Sequence, residues 1–164
     1  MRIITPQDFF PILKNKYLLL DTSVFIDAFL NDKEFSELFN NLKDNNTILV
    51  TIDAVKIEFL QGAQDEARYE KKEEFFEQIV PTCLPTKDTV FDNVYELIRA
   101  YKEDGKSLSV TDLLLGAILM QYKRNLFLLT KNTTEFPTGI FILATYFNIS
   151  YTKGLHSYGV YRII

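Results

Sequence analysis

The chain of 164 residues is 47% hydrophobic and 14% aromatic, enough for one domain with a sizeable core, and nothing in it reads as disordered or repetitive. A formal net charge of -4 excludes a broadly basic surface that would coat nucleic acid, so any positive footprint for a phosphate backbone must be local. One cysteine, Cys83, and one histidine, His156, exclude an internal disulfide and zinc ligation of the usual kind, and argue against a cysteine nucleophile with a histidine base.

Residues 5–8 match a capping box with Pro6 at the first helical position, which predicts a short helix to about Lys14. Residues 17–20 form a short apolar run of buried-strand type, and residues 22–30 have helix length and an apolar face. Phe35, Leu38, Phe39 and Leu42 mark an amphipathic helix that Asn45 and Asn46 end, and residues 47–50 read as the next strand. Helical spacing resumes over residues 52–62, and a charged helix from about Asp65 stops before Pro81.

A short strand is expected near residues 82–84. From Asp88 onward Val90, Val94, Leu97, Ile98 and Tyr101 form an apolar stripe that Gly105 terminates. Residues 113–122 are apolar nearly all round, as in a buried helix, and residues 126–129 follow as a strand. The tail reads as two strands, residues 140–151 and 157–163, with Gly154 and Gly159 as breaks. Strands alternating with helices indicate an α/β domain around a mainly parallel sheet, in which ligands bind beyond the carboxyl ends of the strands. No apolar stretch approaches the roughly 20 residues of a membrane span. Residues 1–16 lack a long apolar signal core, and with the single cysteine this gives a cytoplasmic expectation.

The chemistry left to such a chain is carboxylate and metal. Converging acids raise one another's pKa unless a cation neutralises them, and hard oxygen ligands suit Mg2+ or Mn2+. Each acid also has a bland explanation. Asp21, between a strand and a helix, is a preferred N-cap, and residues 109–112 match a capping box with Asp112 in the first turn. Glu58 stands on a helix crowded by Ile57, Phe59 and Leu60, where a buried carboxylate would need a partner. Asn132 and Glu135 fit a turn or cap as well as they fit a site, and Asp27 is placed to support Asp21 from two turns away. Lys102, Lys106, Lys123, Arg124 and Lys131 are each ordinary surface cations taken singly.

Taken in order, LLLDTSVFID, EFLQG, SVTDLLLGAIL and TKNTTEF resemble the four motifs of the PIN domain, and especially of VapC-type toxin ribonucleases. The resemblance covers residues 18–136 and implies a PIN-like α/β/α sandwich at residues 17–164, with extra C-terminal strands and residues 1–16 as an N-terminal extension. It implies that Asp21, Glu58 and Asp112 bind Mg2+ or Mn2+, with the fourth position on Asn132 or Glu135. Thr22, Ser23, Thr130, Lys131 and Asn132 then orient ligands or contact the substrate phosphate. The implied activity is endoribonuclease cleavage of RNA by a homodimeric toxin with a small antitoxin partner. Two other classes stay open: a catalytically inactive PIN-fold module that binds RNA or assembles, and a phospho-acceptor domain with Asp21 as acceptor.

Overall fold

The computed structural model describes residues 2–134, 136, 139–151 and 154–164. The chain opens with strand β1 (Arg2–Ile4), helix α1 (Phe9–Leu13), β2 (Tyr17–Leu20), α2 (Thr22–Leu30) and α3 (Asp32–Asp44). It continues through β3 (Ile48–Ile52), α4 (Asp53–Gln61), α5 (Glu66–Ile79), β4 (Cys83–Leu84) and α6 (Asp88–Glu103). Helix α7 (Val110–Tyr122), one 3-10 turn, β5 (Leu126–Thr130), β6 (Phe141–Tyr151) and β7 (Gly154–Ile163) complete it.

One seven-stranded sheet runs in the order β1-β6-β7-β5-β2-β3-β4. Strands β5, β2, β3 and β4 are parallel neighbours, whereas β7 joins β5, and β6 and β1 follow, all antiparallel. The fold is thus α/β with a parallel core and the expected additional C-terminal strands. Leu18, Leu19 and Leu20 are fully buried although alternate side chains of a strand face opposite ways, so β2 is covered on both faces. That is why β2 and the equally buried β5 read as unbroken apolar runs.

Aromatic rings fill the layers on either side. Phe25 of α2 stacks on Phe76 of α5 at 4.6 Å, while Phe147 of β6 lies flat on Tyr158 of β7 at 4.6 Å and edge-on to Phe9 of α1. Between α4 and α5 the nearly buried Lys72 donates from Nζ to the carbonyl of Phe59 at 2.7 Å and lies over the Phe59 ring. A Cβ on Gly62 would stand 3.1 Å from that ammonium, so the glycine of the EFLQG segment makes room for a lysine that closes the end of α4.

Two expectations are corrected. The helix predicted from Thr5 starts only at Phe9, with no side-chain cap from Asp8, because Arg2, Ile3 and Ile4 are drawn out against Ser150, Ile149 and Asn148 of β6. A pairing about 145 residues distant in sequence overrides a local capping signal. Gly154 and Gly159 both lie within β7 rather than breaking it. At Gly159 a Cβ would come within 2.6 Å of the Tyr161 ring and 3.1 Å of Leu143, so the absent side chain leaves space for neighbours. Gly105 behaves as expected, ending α6 at a φ of 68°.

Gly159→Ala should therefore destabilise the fold by about 1–3 kcal/mol through overpacking, whereas Gly154→Ala, with open space around it, should be tolerated. Urea denaturation of the two variants checks this. Equal loss in both would show that backbone freedom rather than space is what Gly159 provides.

Candidate active site

Strand β2 ends at Leu20, and the Asp21 backbone remains extended at φ -79° and ψ 161° before α2 begins. Its N–H still bonds the Leu129 carbonyl at 3.1 Å, which places Asp21 at the carboxyl edge of the parallel strands. The side chain is the expected N-cap: Oδ1 accepts from the Thr22 N–H at 2.6 Å. It is also more than a cap. Oδ2 accepts from Ser23 Oγ at 2.9 Å and from Thr130 Oγ1, at the end of β5, at 2.6 Å, and the residue is only 6% exposed.

Burial raises the Asp21 pKa above the usual carboxylate value; the hydroxyls of Thr130 and Ser23 and the N–H of Thr22 pull it back, and the charge of Glu58 raises it again. Glu58 corrects a sequence expectation. Helix α4 buries only Val55 and Phe59, Ile57 is 64% exposed, and Glu58 itself is exposed. Its carboxylate nevertheless has partners, since Oε2 accepts from Thr22 Oγ1 at 2.6 Å and Oε1 from Thr111 Oγ1 at 2.8 Å.

Thr111 lies in the first turn of α7, beside Asp112, so its bond to Glu58 brings the start of α7 to the same edge as Asp21. Asp112 keeps the predicted cap: Ser109 Oγ accepts from the Asp112 N–H at 3.1 Å and donates to Asp112 Oδ2 at 2.7 Å. Thr111 was not singled out from the sequence. Its position before Asp112 in SVTD is the one available sign, because a threonine in a first helical turn is unremarkable until the acid it reaches is known.

The loop after β5 closes the site from the other side. Asn132 contributes its backbone N–H to Thr130 Oγ1 at 3.0 Å, and the Lys131 N–H bonds Ser23 Oγ at 3.3 Å. Lys131 Nζ donates to Asp27 Oδ2 at 3.0 Å, and the same oxygen accepts from the hydroxyl of buried Tyr158. Asp27 thus touches the loop through Lys131 rather than Asp21 itself. Glu135, the other candidate for the fourth position, lies outside the described residues. Cys83 stands apart from the acids; burial first and Asp53 second push its thiol up to about 11, which leaves it protonated and unreactive at neutral pH.

The donor set at this edge is hard oxygen throughout, carboxylate and hydroxyl, and it fits Mg2+ or Mn2+ rather than a softer metal. Neither Asp21 nor Glu58 pairs with a basic side chain among the described residues, so a nearly buried acid faces a second acid without a protein cation. Among those residues no three acidic, histidine or cysteine side chains stand as a closed ligand set. The described site is a pair of acids, with Asp112 next to the threonine that bridges to Glu58.

A family model for the PIN domain matches residues 18–135, the segment that contains all of these groups. The chain belongs to the PIN domain family. PIN domains are generally nucleases and typically use divalent metal ions. The crystal structure of VapBC2 from Rickettsia felis bound to a DNA fragment from its promoter contains a chain of the same fold, with TM-score 0.63 and 17% identity over 73% of this chain and 90% of that one. Comparison with curated proteins gives no match. The PIN match ends before β6 and β7, so Tyr158 reaches the site from outside the matched segment.

An acid whose pKa is raised by folding adds stability while it is protonated, and that contribution is lost as pH rises through its folded pKa. Asp21→Asn, which keeps a good N-cap, should therefore melt above wild type at neutral pH, with the gap closing toward acid pH. Asp21→Ala should lose about 1 kcal/mol of cap energy. Thermal melts across pH test this; an Asn variant less stable at every pH would make Asp21 a structural acceptor first.

Proposed function

We propose that this PIN domain is a metal-dependent endoribonuclease that hydrolyses phosphodiester bonds in RNA, acting as the toxin of a toxin–antitoxin pair. The observation that carries the reading is Asp21, nearly buried at the carboxyl edge of the parallel strands, facing Glu58 with no basic side chain among the described residues to neutralise either. Such an arrangement costs stability in the protein alone and is relieved by a cation.

In this reading Asp21, Glu58 and Asp112 would hold Mg2+ or Mn2+, which when bound lowers the pKa of water and offsets charge on the phosphate. The protein's own groups set the geometry. Thr130 and Ser23 fix the rotation of the Asp21 carboxylate, and Thr22 and Thr111 grip both oxygens of Glu58. Lys131 offers a positive charge to a phosphate of the RNA, and the backbone around Asn132 stays anchored on Thr130. With a net charge of -4, attraction for RNA would be confined to this edge.

The likeness to VapBC2 supports a protein antitoxin as partner, and the same proposal takes the protein to act as a homodimer in the cytoplasm. No helix among the described residues is long and apolar enough to cross a membrane. The rival reading, a PIN-fold module without catalysis, is favoured by Asn132 at the fourth acidic position and by Asp112 being engaged with Ser109.

Cleavage of a panel of structured and single-stranded RNAs by wild type and Asp112→Asn, purified identically, separates these. Wild type should cut with Mg2+ or Mn2+ and not with EDTA, and Asp112→Asn should lose roughly 10²-fold or more. Thr111→Val should lose roughly 10–100-fold through misdirected Glu58. Mg2+ should also raise the wild-type melting temperature. Equal cutting by wild type and Asp112→Asn, or no cutting and no thermal shift, would overturn the nuclease reading.

A further inference from the structure

Asp27, Lys131 and Tyr158 form a chain of contacts that the acid site does not itself require. Tyr158 is fully buried in β7, flat on Phe147 and edge-on to Phe35 at 5.8 Å, so its ring has no freedom to turn and its hydroxyl is aimed. The hydroxyl donates to Asp27 Oδ2, in the second turn of α2, and that oxygen accepts from Lys131 Nζ at 3.0 Å. A lysine on the surface ordinarily wanders on a flexible stem. Here its head is held by a carboxylate whose own orientation is fixed from the core.

The other end of Lys131 is tied into the acid site. Its backbone N–H rests on Ser23 Oγ, which donates to Asp21, and the preceding residue, Thr130, donates to Asp21 directly. Among the described residues Lys131 is the one basic residue bonded into the Asp21 network. Its side chain is 36% exposed, and an ammonium with three donors has capacity beyond Asp27 for a phosphate oxygen.

We propose that Tyr158 and Asp27 are positioning residues that pre-orient Lys131 as a phosphate-binding cation at the rim of the acid site. The inference rests on the nuclease reading and extends it to β7, beyond the segment that the PIN family model matches. The bland alternative is that Asp27 merely satisfies a buried tyrosine hydroxyl and Lys131 is incidental. The two differ in whether the effect of Tyr158 on RNA passes through Lys131.

The experiment is a double-mutant cycle on binding of a fluorescein-labelled, mixed-sequence single-stranded RNA, measured by anisotropy across salt concentrations in the full chain carrying Asp112→Asn to suppress cleavage. Lys131→Gln should weaken binding roughly tenfold and flatten the salt dependence by about one ion. Tyr158→Phe, which removes only the hydroxyl, should weaken binding in the same direction. The double variant should bind no more weakly than Lys131→Gln alone, since acting through one group makes the effects non-additive. Val90→Ala removes buried volume in α6, apart from the Tyr158 stack, and should lower the melting temperature while sparing RNA affinity. Additive losses, or a loss of affinity in Val90→Ala equal to that in Tyr158→Phe, would overturn the positioning role. Binding unchanged by Lys131→Gln would overturn the cation itself while leaving the nuclease reading intact; no RNA binding by the parent at any salt would remove both.

Discussion

The position of Asp21 constrains the rest of the site. Its N–H continues the ladder between β2 and β5 while its side chain starts α2 and receives the hydroxyl that ends β5. Strand end, helix start and the following loop are therefore fixed by one carboxylate. That carboxylate sits where burial and Glu58 both oppose its charge. Unfavourable groups persist when the surrounding structure over-determines them, and a nearly buried acid gripped by two hydroxyls and an N–H is over-determined in that sense.

The choice of neutral donors matters as much as their geometry. Thr22, Thr111 and Thr130 belong to the starts of α2 and α7 and the end of β5, and each gives its hydroxyl to Asp21 or Glu58. Arginine or lysine at those places would orient the same oxygens but cancel their charge. Threonine holds the acids without neutralising them, leaving the edge negative and receptive to a cation. The one lysine among the described residues that is bonded into the network, Lys131, has its ammonium on Asp27 and so does not neutralise either acid.

Much of this was legible because it depended on local periodicity. Strand β2 and helix α2 fall where apolar runs and helical spacing put them, and α6 ends at Gly105 because a left-handed residue is needed there. Membership of the PIN family was also readable from the order of its motifs, as was the cap role of Asp21 and of Ser109 for Asp112. What failed were inferences about surroundings. Glu58 was expected to be buried because its neighbours are apolar, yet Ile57 points outward with it on an exposed face. A sequence states what a side chain is made of, and its burial depends on which helix lies opposite. Thr111 and Tyr158 were invisible for the same reason: one is 53 residues from its partner Glu58 and the other 131 from Asp27.

The antiparallel hairpin explains how a site assembled from PIN motifs comes to rely on residues outside them. A parallel sheet ending at β5 would leave its last strand with an unpaired backbone edge beside the site. Strand β7 covers that edge, and Gly159 pairs directly with Thr130, the residue that donates to Asp21. Because the partner there lacks a side chain, Tyr161 can cross over and donate its hydroxyl to the Thr133 carbonyl at 2.8 Å, while Tyr158 turns inward toward Asp27. The loop carrying Lys131 and Asn132 is thus held through Asp21 and Ser23 on one side and through two tyrosines of β7 on the other. The outermost strands are short, three residues in β1 and two in β4, and pair with only part of β6 and β3. Edge protection and the seating of the site are consequences of the same pairing, so a change that slips β7 by one residue would expose its buried face and detach both tyrosines from the loop.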